Sequence, residues 1–149
     1  MYIQIFKLQF ITMINFFNED IKFTLKGKKD YKIWLRKVAE KEGFTINSLN
    51  YIFCSDVYLH EINLEYLNHD TYTDIITFDN SEDRKIIEGD IFISIDRVRE
   101  NSKILFTLFD EELKRVIVHG LLHLCGYNDS NSEQKQEIRN CESNYINQF

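Results

Sequence analysis

The sequence contains no proline and only five glycines among its 149 residues. It also has no Gly/Ser-rich linker and no internal repeat, so nothing in it marks a domain boundary. Cysteine is scarce as well: Cys54, Cys125 and Cys141 form an odd, widely spaced set without a C-x-x-C pair. This pattern signals neither a disulfide framework nor a thiolate zinc knuckle, and it favours a reducing, cytoplasmic location.

Long hydrophobic runs are absent too. The opening MYIQIFKLQFIT is apolar, but it is short, contains Lys7 and lacks a small-residue cleavage site. It therefore predicts neither a secretory signal nor a bilayer-spanning helix, and we expect no membrane partner. We interpret residues 1–12 as an N-terminal extension, with Met13 as an alternative start, and residues 13–149 as one domain.

The net charge of −6 argues against a protein that holds nucleic acid through its phosphates alone, because that mode of binding needs a basic surface. The charge is unevenly distributed, however. Residues 22–41, here called the basic segment, carry eight lysines and arginines against two acidic residues. This segment predicts either a local basic patch or a solvated helix face, and the sequence leaves both open.

Short β-branched and aromatic runs alternate with amphipathic stretches, without the regular order of a βαβ fold. We predict an α+β fold, a single compact domain in which a small mixed β-sheet packs with helices. The predicted strands lie in INFFNEDIKFTL, LNYIFCS, TDIITFDN and GDIFISI. The predicted helices cover KDYKIWLRKVAEKEG, VYLHEINLEYL and residues 96–103, and Asp56 is expected to cap the second of them. Two capping boxes predict two further helices: Thr107/Asp110 begins a helix that ends at Gly126, and Ser130/Glu133 begins the last helix. In that last helix we expect Ile138, Cys141 and Tyr145 to dock on the core.

The stretch VIVHGLLHLCGYND, residues 116–129, carries the candidate chemistry. His119 and His123 are four residues apart, so on a helix both project from one face. Gly126 favours a left-handed turn that brings Asp129 back toward them. Since catalytic zinc usually takes three protein ligands, the pattern predicts a metal site at the end of a central helix, with His119, His123 and Asp129 as ligands.

Metzincin peptidases share this H-x-x-x-H-x-x-G spacing, but they place a glutamate base after the first histidine and a methionine turn downstream. Gly120 stands at the glutamate's position, and the only methionines lie far upstream. Peptide hydrolysis is therefore disfavoured. Gly120 itself indicates either close helix packing or clearance beside the ion.

Several motifs in order resemble the YbeY endoribonuclease family. HGLLHLCGYND at 119–129 is similar to the family's HGxLHLxGYDH signature, TDIITF at 73–78 to its TDVLSF element, and EGDIFIS at 88–94 to its LGDIxIS strand. INLEYLNHDTYTD at 62–74 is similar to its LNxxFRxKDxPTD segment. The resemblance implies a zinc-dependent endoribonuclease specific for single-stranded RNA, active in 16S rRNA 3′ end maturation and ribosome quality control. It implies ribosomal RNA and the ribosome or small-subunit components as partners.

Two positions depart from the family pattern. Asp129 stands where the third ligand is usually histidine; a carboxylate still binds zinc but makes it a weaker Lewis acid, so another divalent metal stays open. Leu67 falls where the family commonly carries an arginine, and Arg97 or His69 are candidates to replace it.

The remaining candidates are weaker. Tyr72 and Tyr127 are expected either to stack on bases or simply to pack, and Thr73 and Asp74 either to orient a ligand histidine or to form a strand-entry turn. The attacking nucleophile and other catalytic residues stay unassigned. Alternative functions are a metallopeptidase-like hydrolase and a non-enzymatic ribosome assembly factor whose structural zinc would take Cys125 or Cys141 as a fourth ligand.

Overall fold

The structure, a computed structural model, describes residues 12–149. Of the expected extension at residues 1–12, all but Thr12 lie outside the described residues. Within residues 12–149 there are nine elements, which in chain order are β1 (Met13–Asn18), α1 (Lys28–Lys41), β2 (Thr45–Cys54), α2 (Asp56–Leu67), β3 (Ile75–Asp79), β4 (Ile86–Ser94), α3 (Ile95–Ile104), α4 (Phe109–Leu124) and α5 (Ser132–Ile146).

The strands form one mixed sheet in the order β1-β2-β4-β3. β2 is parallel to β1 and to β4, while β3 is antiparallel to β4. This confirms the predicted α+β domain with a small mixed sheet.

Both faces of the sheet are covered, because alternate side chains of each strand point to opposite sides. On β4, Ile91 and Ile93 belong to the main core with α1, α4 and α5, whereas Phe92 packs with Leu59 and Ile62 of α2 on the other face. α4 is the most buried helix and lies between the sheet and α5, and it is the central helix that the sequence predicts.

The predicted elements are confirmed, but some of their ends are wrong. Residues 21–25 form no strand, although Leu25 is buried. α4 has no side-chain cap and starts after Leu108, because the amide of Thr107 donates instead to the Ser102 carbonyl, which closes α3. α2 is capped by Ser55 rather than Asp56.

The last helix, α5, is capped by Asn131, whose side chain accepts from the Gln134 amide; Ser130 is therefore one residue too early as a cap. Ile138 and Tyr145 are buried in the core, and Cys141 is half-buried against it, as predicted. Between residues 12 and 149 no helix combines the length and apolar character needed to cross a bilayer.

Candidate metal centre

His119 and His123 lie on the last turns of α4, and their rings meet on one face as predicted. The two Nε2 atoms are 2.8 Å apart, and the ring planes are inclined by 80°. Both side chains are partly exposed, at 20% and 25%, so this face opens toward solvent.

A Schellman turn ends α4 and reverses the chain. Gly126 has φ 99°, its amide donates to the His123 carbonyl, and the amide of Tyr127 donates to the Leu122 carbonyl. This is the pair of bonds that defines the motif, and its left-handed position favours glycine. The turn returns the chain over the end of the helix and brings Asp129 to the histidines.

Asp129 Oδ2 lies 3.6 Å from His119 Nε2 and 3.4 Å from His123 Nε2. With the 2.8 Å separation of the two nitrogens, the circle through these three atoms has a radius of about 1.9 Å, while zinc binds nitrogen and carboxylate oxygen at about 2.0–2.2 Å. The spacing of the three atoms therefore fits the distances at which they would hold a zinc ion. The structure thus groups His119, His123 and Asp129 as residues that can hold a metal.

The other ring nitrogen of each histidine has a hydrogen-bond acceptor. His119 Nδ1 lies 2.6 Å from Glu142 Oε2, and His123 Nδ1 lies 2.9 Å from the Tyr127 carbonyl. Since a carbonyl and an ionised carboxylate only accept, both Nδ1 atoms donate. In the neutral rings this leaves the two Nε2 atoms, which lie 2.8 Å apart, free to bind a metal ion, and this is the arrangement that metal-binding histidines use.

Glu142 is the principal group behind the candidate ligands, and no sequence motif indicated it. Its side chain is only 3% exposed, and it also accepts from Arg115 Nη1 at 3.0 Å. Burial alone lowers the pKa of His119, but the hydrogen bond and charge of Glu142 outweigh it, so that this pKa is raised. The sequence signal was an acidic residue on the apolar stripe of α5, between Ile138 and Tyr145.

Of the two roles left open for Thr73 and Asp74, the hydrogen bonds favour the strand-entry turn over the orientation of a ligand histidine. The Thr73 hydroxyl donates to the Ile75 carbonyl, and within residues 12–149 neither side chain hydrogen-bonds to a ligand histidine. Asp74 does face the site, and burial raises the pKa of its carboxyl although the nearby His119 lowers it. The structure instead assigns the orientation of the histidines to Glu142 and the Tyr127 carbonyl.

Gly120 lies between the two histidines but faces the sheet. A Cβ at this position would come within 2.9 Å of the Ile75 and Ile91 side chains. The close-packing interpretation is therefore confirmed, and clearance beside the ion is not its role. A glutamate base at position 120 would not fit.

Of the two candidates to replace the family arginine at Leu67, only His69 shares a cavity with the metal ligands. Leu67 and His69 both line a cleft of about 500 Å³ that reaches His119, His123 and Asp129. Arg97 instead forms an ion pair with Asp56 at 2.6 Å and does not line that cleft.

The aromatic and cysteine candidates lie outside the ligand cluster. Tyr127 is held by packing and by its hydroxyl, which donates to Glu42 and accepts from the Cys141 thiol. Tyr72 is exposed and stacks on His60. Burial raises the pKa of the Cys125 thiol to about 12, which makes it a poor ligand at neutral pH, and no cysteine among the described residues joins the metal-binding group.

A second cavity, here called the α4–α5 cavity, meets the cleft at the ligands. It has a volume of about 330 Å³ and is lined by His119 and Asp129 together with Asp74, Glu112, Arg115, Val116, Lys135, Ile138, Arg139 and Glu142. The metal-binding group therefore lies where two open cavities join. An extended ligand therefore has room on both sides of the metal-binding group.

An α+β domain in which two histidines and a carboxylate converge at an accessible helix end has a group of side chains that could hold a metal ion. The family model described as "Endoribonuclease YbeY" matches residues 13–149, and the chain belongs to the YbeY family.

Several relatives named Endoribonuclease YbeY cover most of the chain. One from Cytophaga hutchinsonii is 52% identical over 85% of this chain and 88% of its own length. One from Christiangramia forsetii is 49% identical over 91% and 94%. A protein from Thermotoga maritima, known from its solution structure, is 28% identical and superposes with a TM-score of 0.63 over 90% of this chain and 87% of the other. These similarities support the mixed-sheet fold as well as the family.

Proposed function

We propose that the chain is a metal-dependent endoribonuclease that cleaves single-stranded RNA, with one Zn²⁺ held by His119, His123 and Asp129. The observation that carries the proposal is the convergence of two Nε2 atoms and one carboxylate oxygen around a single point. Relatives with about half their residues identical are named endoribonucleases, which supports RNA as the substrate.

The donor set fits zinc: two imidazoles and one carboxylate, with Nδ1 donors behind them. A zinc ion bound in this way supplies Lewis-acid chemistry and lets water act as a nucleophile near neutral pH. The protein's own part is to hold the ligands. Glu142 fixes the ring of His119, the Gly126 turn fixes both the Tyr127 carbonyl and Asp129, and the two cavities leave space for a strand to pass the ion.

RNA cleavage is favoured over peptide hydrolysis by the residues around the ligands. The position of a peptidase's glutamate base is occupied by Gly120, which is packed against Ile75 and Ile91. Lys135 and Arg139 line the adjoining cavity and suit a phosphate backbone. The metallopeptidase and the structural-zinc alternatives have no comparable support.

We propose ribosomal RNA as the physiological substrate, with roles in 16S rRNA 3′ end maturation and ribosome quality control, and the ribosome or small subunit as the partner. This part rests on the family resemblance. The net charge of −6 supports delivery by a partner, because free RNA would be held weakly. The free thiols of Cys54, Cys125 and Cys141 support a cytoplasmic location.

The test pairs metal analysis with cleavage assays on single-stranded RNA and on a peptide library. We expect His123→Ala to lose bound zinc and to cut RNA at less than about 1% of the wild-type rate, since an enzyme stripped of its Lewis acid loses several kcal/mol of transition-state stabilisation. His60→Ala is the matched control, because His60 bonds to Asp70 away from the ligands. It should keep both zinc and activity.

Three outcomes would contradict the proposal. Undiminished RNA cleavage by metal-free His123→Ala would exclude the metal from the reaction. Turnover of peptides by the wild type would favour the metallopeptidase alternative. Tight zinc binding without cleavage of any RNA would favour a structural ion in an assembly factor.

A further inference from the structure

The α4–α5 cavity contains a carboxyl group that the metal centre does not use. Glu112 lies on α4 two turns before His119, about 10 Å along the helix axis. Its residue is only 6% exposed, and its side chain lines the cavity. Within residues 12–149 this side chain has neither a hydrogen-bond donor nor an ion-pair partner, and only longer-range charges and burial act on it.

Among the described residues no side-chain oxygen is both fully buried and without a partner, so the carboxyl oxygens of Glu112, although the residue is nearly buried, are reached from the cavity that it lines. Burial raises the pKa of Glu112, and the charge of Asp74 raises it further, while Arg115 and Arg139 act in the opposite direction. Arg115 does not donate a hydrogen bond to Glu112, because its guanidinium donates to Glu142 and Ser143 instead. The carboxyl is therefore open to a donor that enters the cavity.

The rim of the same cavity has the opposite character. Lys135 and Arg139 are one turn apart on α5, both are exposed, and neither forms an ion pair with a described residue. The cavity thus has cations at its mouth, an acceptor in its interior, and metal ligands at one end. A nucleotide has the complementary distribution, with an anionic phosphate at one end and N–H donors on the edge of its base.

We propose that the α4–α5 cavity is a nucleotide subsite of the RNA strand, in which Glu112 accepts a hydrogen bond from the exocyclic amino group of the base next to the cleaved bond. Lys135 and Arg139 contact the phosphate of that nucleotide. The inference rests on the proposed ribonuclease function and adds base preference to it. Cytosine offers an N4 amino group, whereas uracil of the same shape presents an O4 acceptor that a carboxylate repels.

The first test measures cleavage of oligonucleotides that carry cytidine or uridine at the positions flanking the cut. We expect the wild type to favour cytidine at one of these positions by about tenfold in kcat/KM, the discrimination that one good base contact gives. In Glu112→Gln the preference should fall below about threefold. Glu111→Gln is the matched control, because Glu111 is the exposed neighbour outside the cavity and should keep the wild-type preference.

The second test needs no catalysis: CMP and UMP are titrated into the zinc-loaded protein by calorimetry. CMP should bind about tenfold more tightly than UMP, and Glu112→Gln should remove the difference. If the wild type cuts no RNA but shows this difference, the proposed function fails and the subsite stands. The subsite is overturned if the wild type binds CMP and UMP equally and cleaves cytidine and uridine substrates at equal rates. It is also overturned if Glu112→Gln keeps the preference for cytidine.

Thermal unfolding separates recognition from a structural role. A buried carboxyl without a partner does not stabilise the fold, so Glu112→Gln and Glu112→Ala should melt at or above the wild-type temperature. A clear drop in the melting temperature of both variants would assign Glu112 to stability and would overturn the inference.

Discussion

Glu142 connects the fold to the metal ligands, because it accepts from His119 Nδ1 and from Arg115 while almost fully buried. We predict that Glu142→Gln lowers zinc affinity by about 10- to 100-fold, the usual cost of removing such a partner. The Arg115 charge would lose its counter-ion, so the free energy of unfolding should also fall by about 1–3 kcal/mol. A competition titration with a chromophoric chelator and urea denaturation measure the two effects.

Glu137→Gln is the control for this variant, since Glu137 is exposed on the same helix. It should change neither quantity. Equal zinc affinity in Glu142→Gln and the wild type would mean that the ring of His119 is positioned without Glu142.

At the residue scale, the grouping of His119, His123 and Asp129 was predictable, and the carboxylate behind His119 was not. His119, His123 and Asp129 follow from helix spacing and one glycine turn, both of which are local in sequence. Glu142 is 23 residues from the ring that it orients. Its contact depends on how α5 packs against α4, and that packing is not encoded in any short segment.

At the scale of single elements, the Schellman turn at Gly126 positions both a ligand and the acceptor of His123 Nδ1. A Cβ at Gly126 would meet nothing within 4 Å, so a substitution there acts only through the backbone. We predict that Gly126→Ala costs about 1–2 kcal/mol of stability because φ 99° is unfavourable for alanine. Relaxation of the turn should also move Asp129 and lower zinc affinity by at least about tenfold, as chelator competition would show.

Gly27→Ala provides the comparison, because Gly27 also has a positive φ, of 75°, but precedes α1 far along the chain from the ligands. It should lose similar stability and keep its zinc affinity. Equal zinc loss in the two alanine variants would attribute the effect to general destabilisation rather than to the turn.

Helix and strand positions were predictable, whereas several caps were not. The Thr107/Asp110 and Ser130/Glu133 patterns both look like capping boxes, but Thr107 closes the preceding helix and Asn131 takes the cap of α5. Polar residues near a helix start compete for the same amides, and the geometry of the preceding chain decides between them. Inside a helix the helical repeat alone fixes which side chains share a face, so no comparable competition arises.

At the scale of the whole molecule, composition and alternation predicted the α+β class but not the strand order β1-β2-β4-β3. The two parallel pairings join strands that are distant in sequence, and their choice depends on how α1 and α2 cover opposite faces. This order also brings Asp74, at the start of β3, beside α4 and the ligands. The cavities at the metal centre are therefore a product of the assembled fold.

The charge of the whole molecule limits how tightly single-stranded RNA is held. The net charge is −6, yet Lys135 and Arg139 line the α4–α5 cavity and the basic segment offers a separate set of exposed cations. If only those two cavity cations contact phosphates, log K for single-stranded RNA should fall with log salt concentration with a slope of about −1.4. Fluorescence anisotropy between about 50 and 200 mM salt measures this slope.

The double variant Lys135→Glu with Arg139→Glu should flatten the slope, while Lys28→Glu with Lys29→Glu should leave it unchanged. A slope steeper than about −4 that is lost in the Lys28/Lys29 variant would instead make the basic segment the principal RNA-binding surface, since each neutralised phosphate contributes about −0.7.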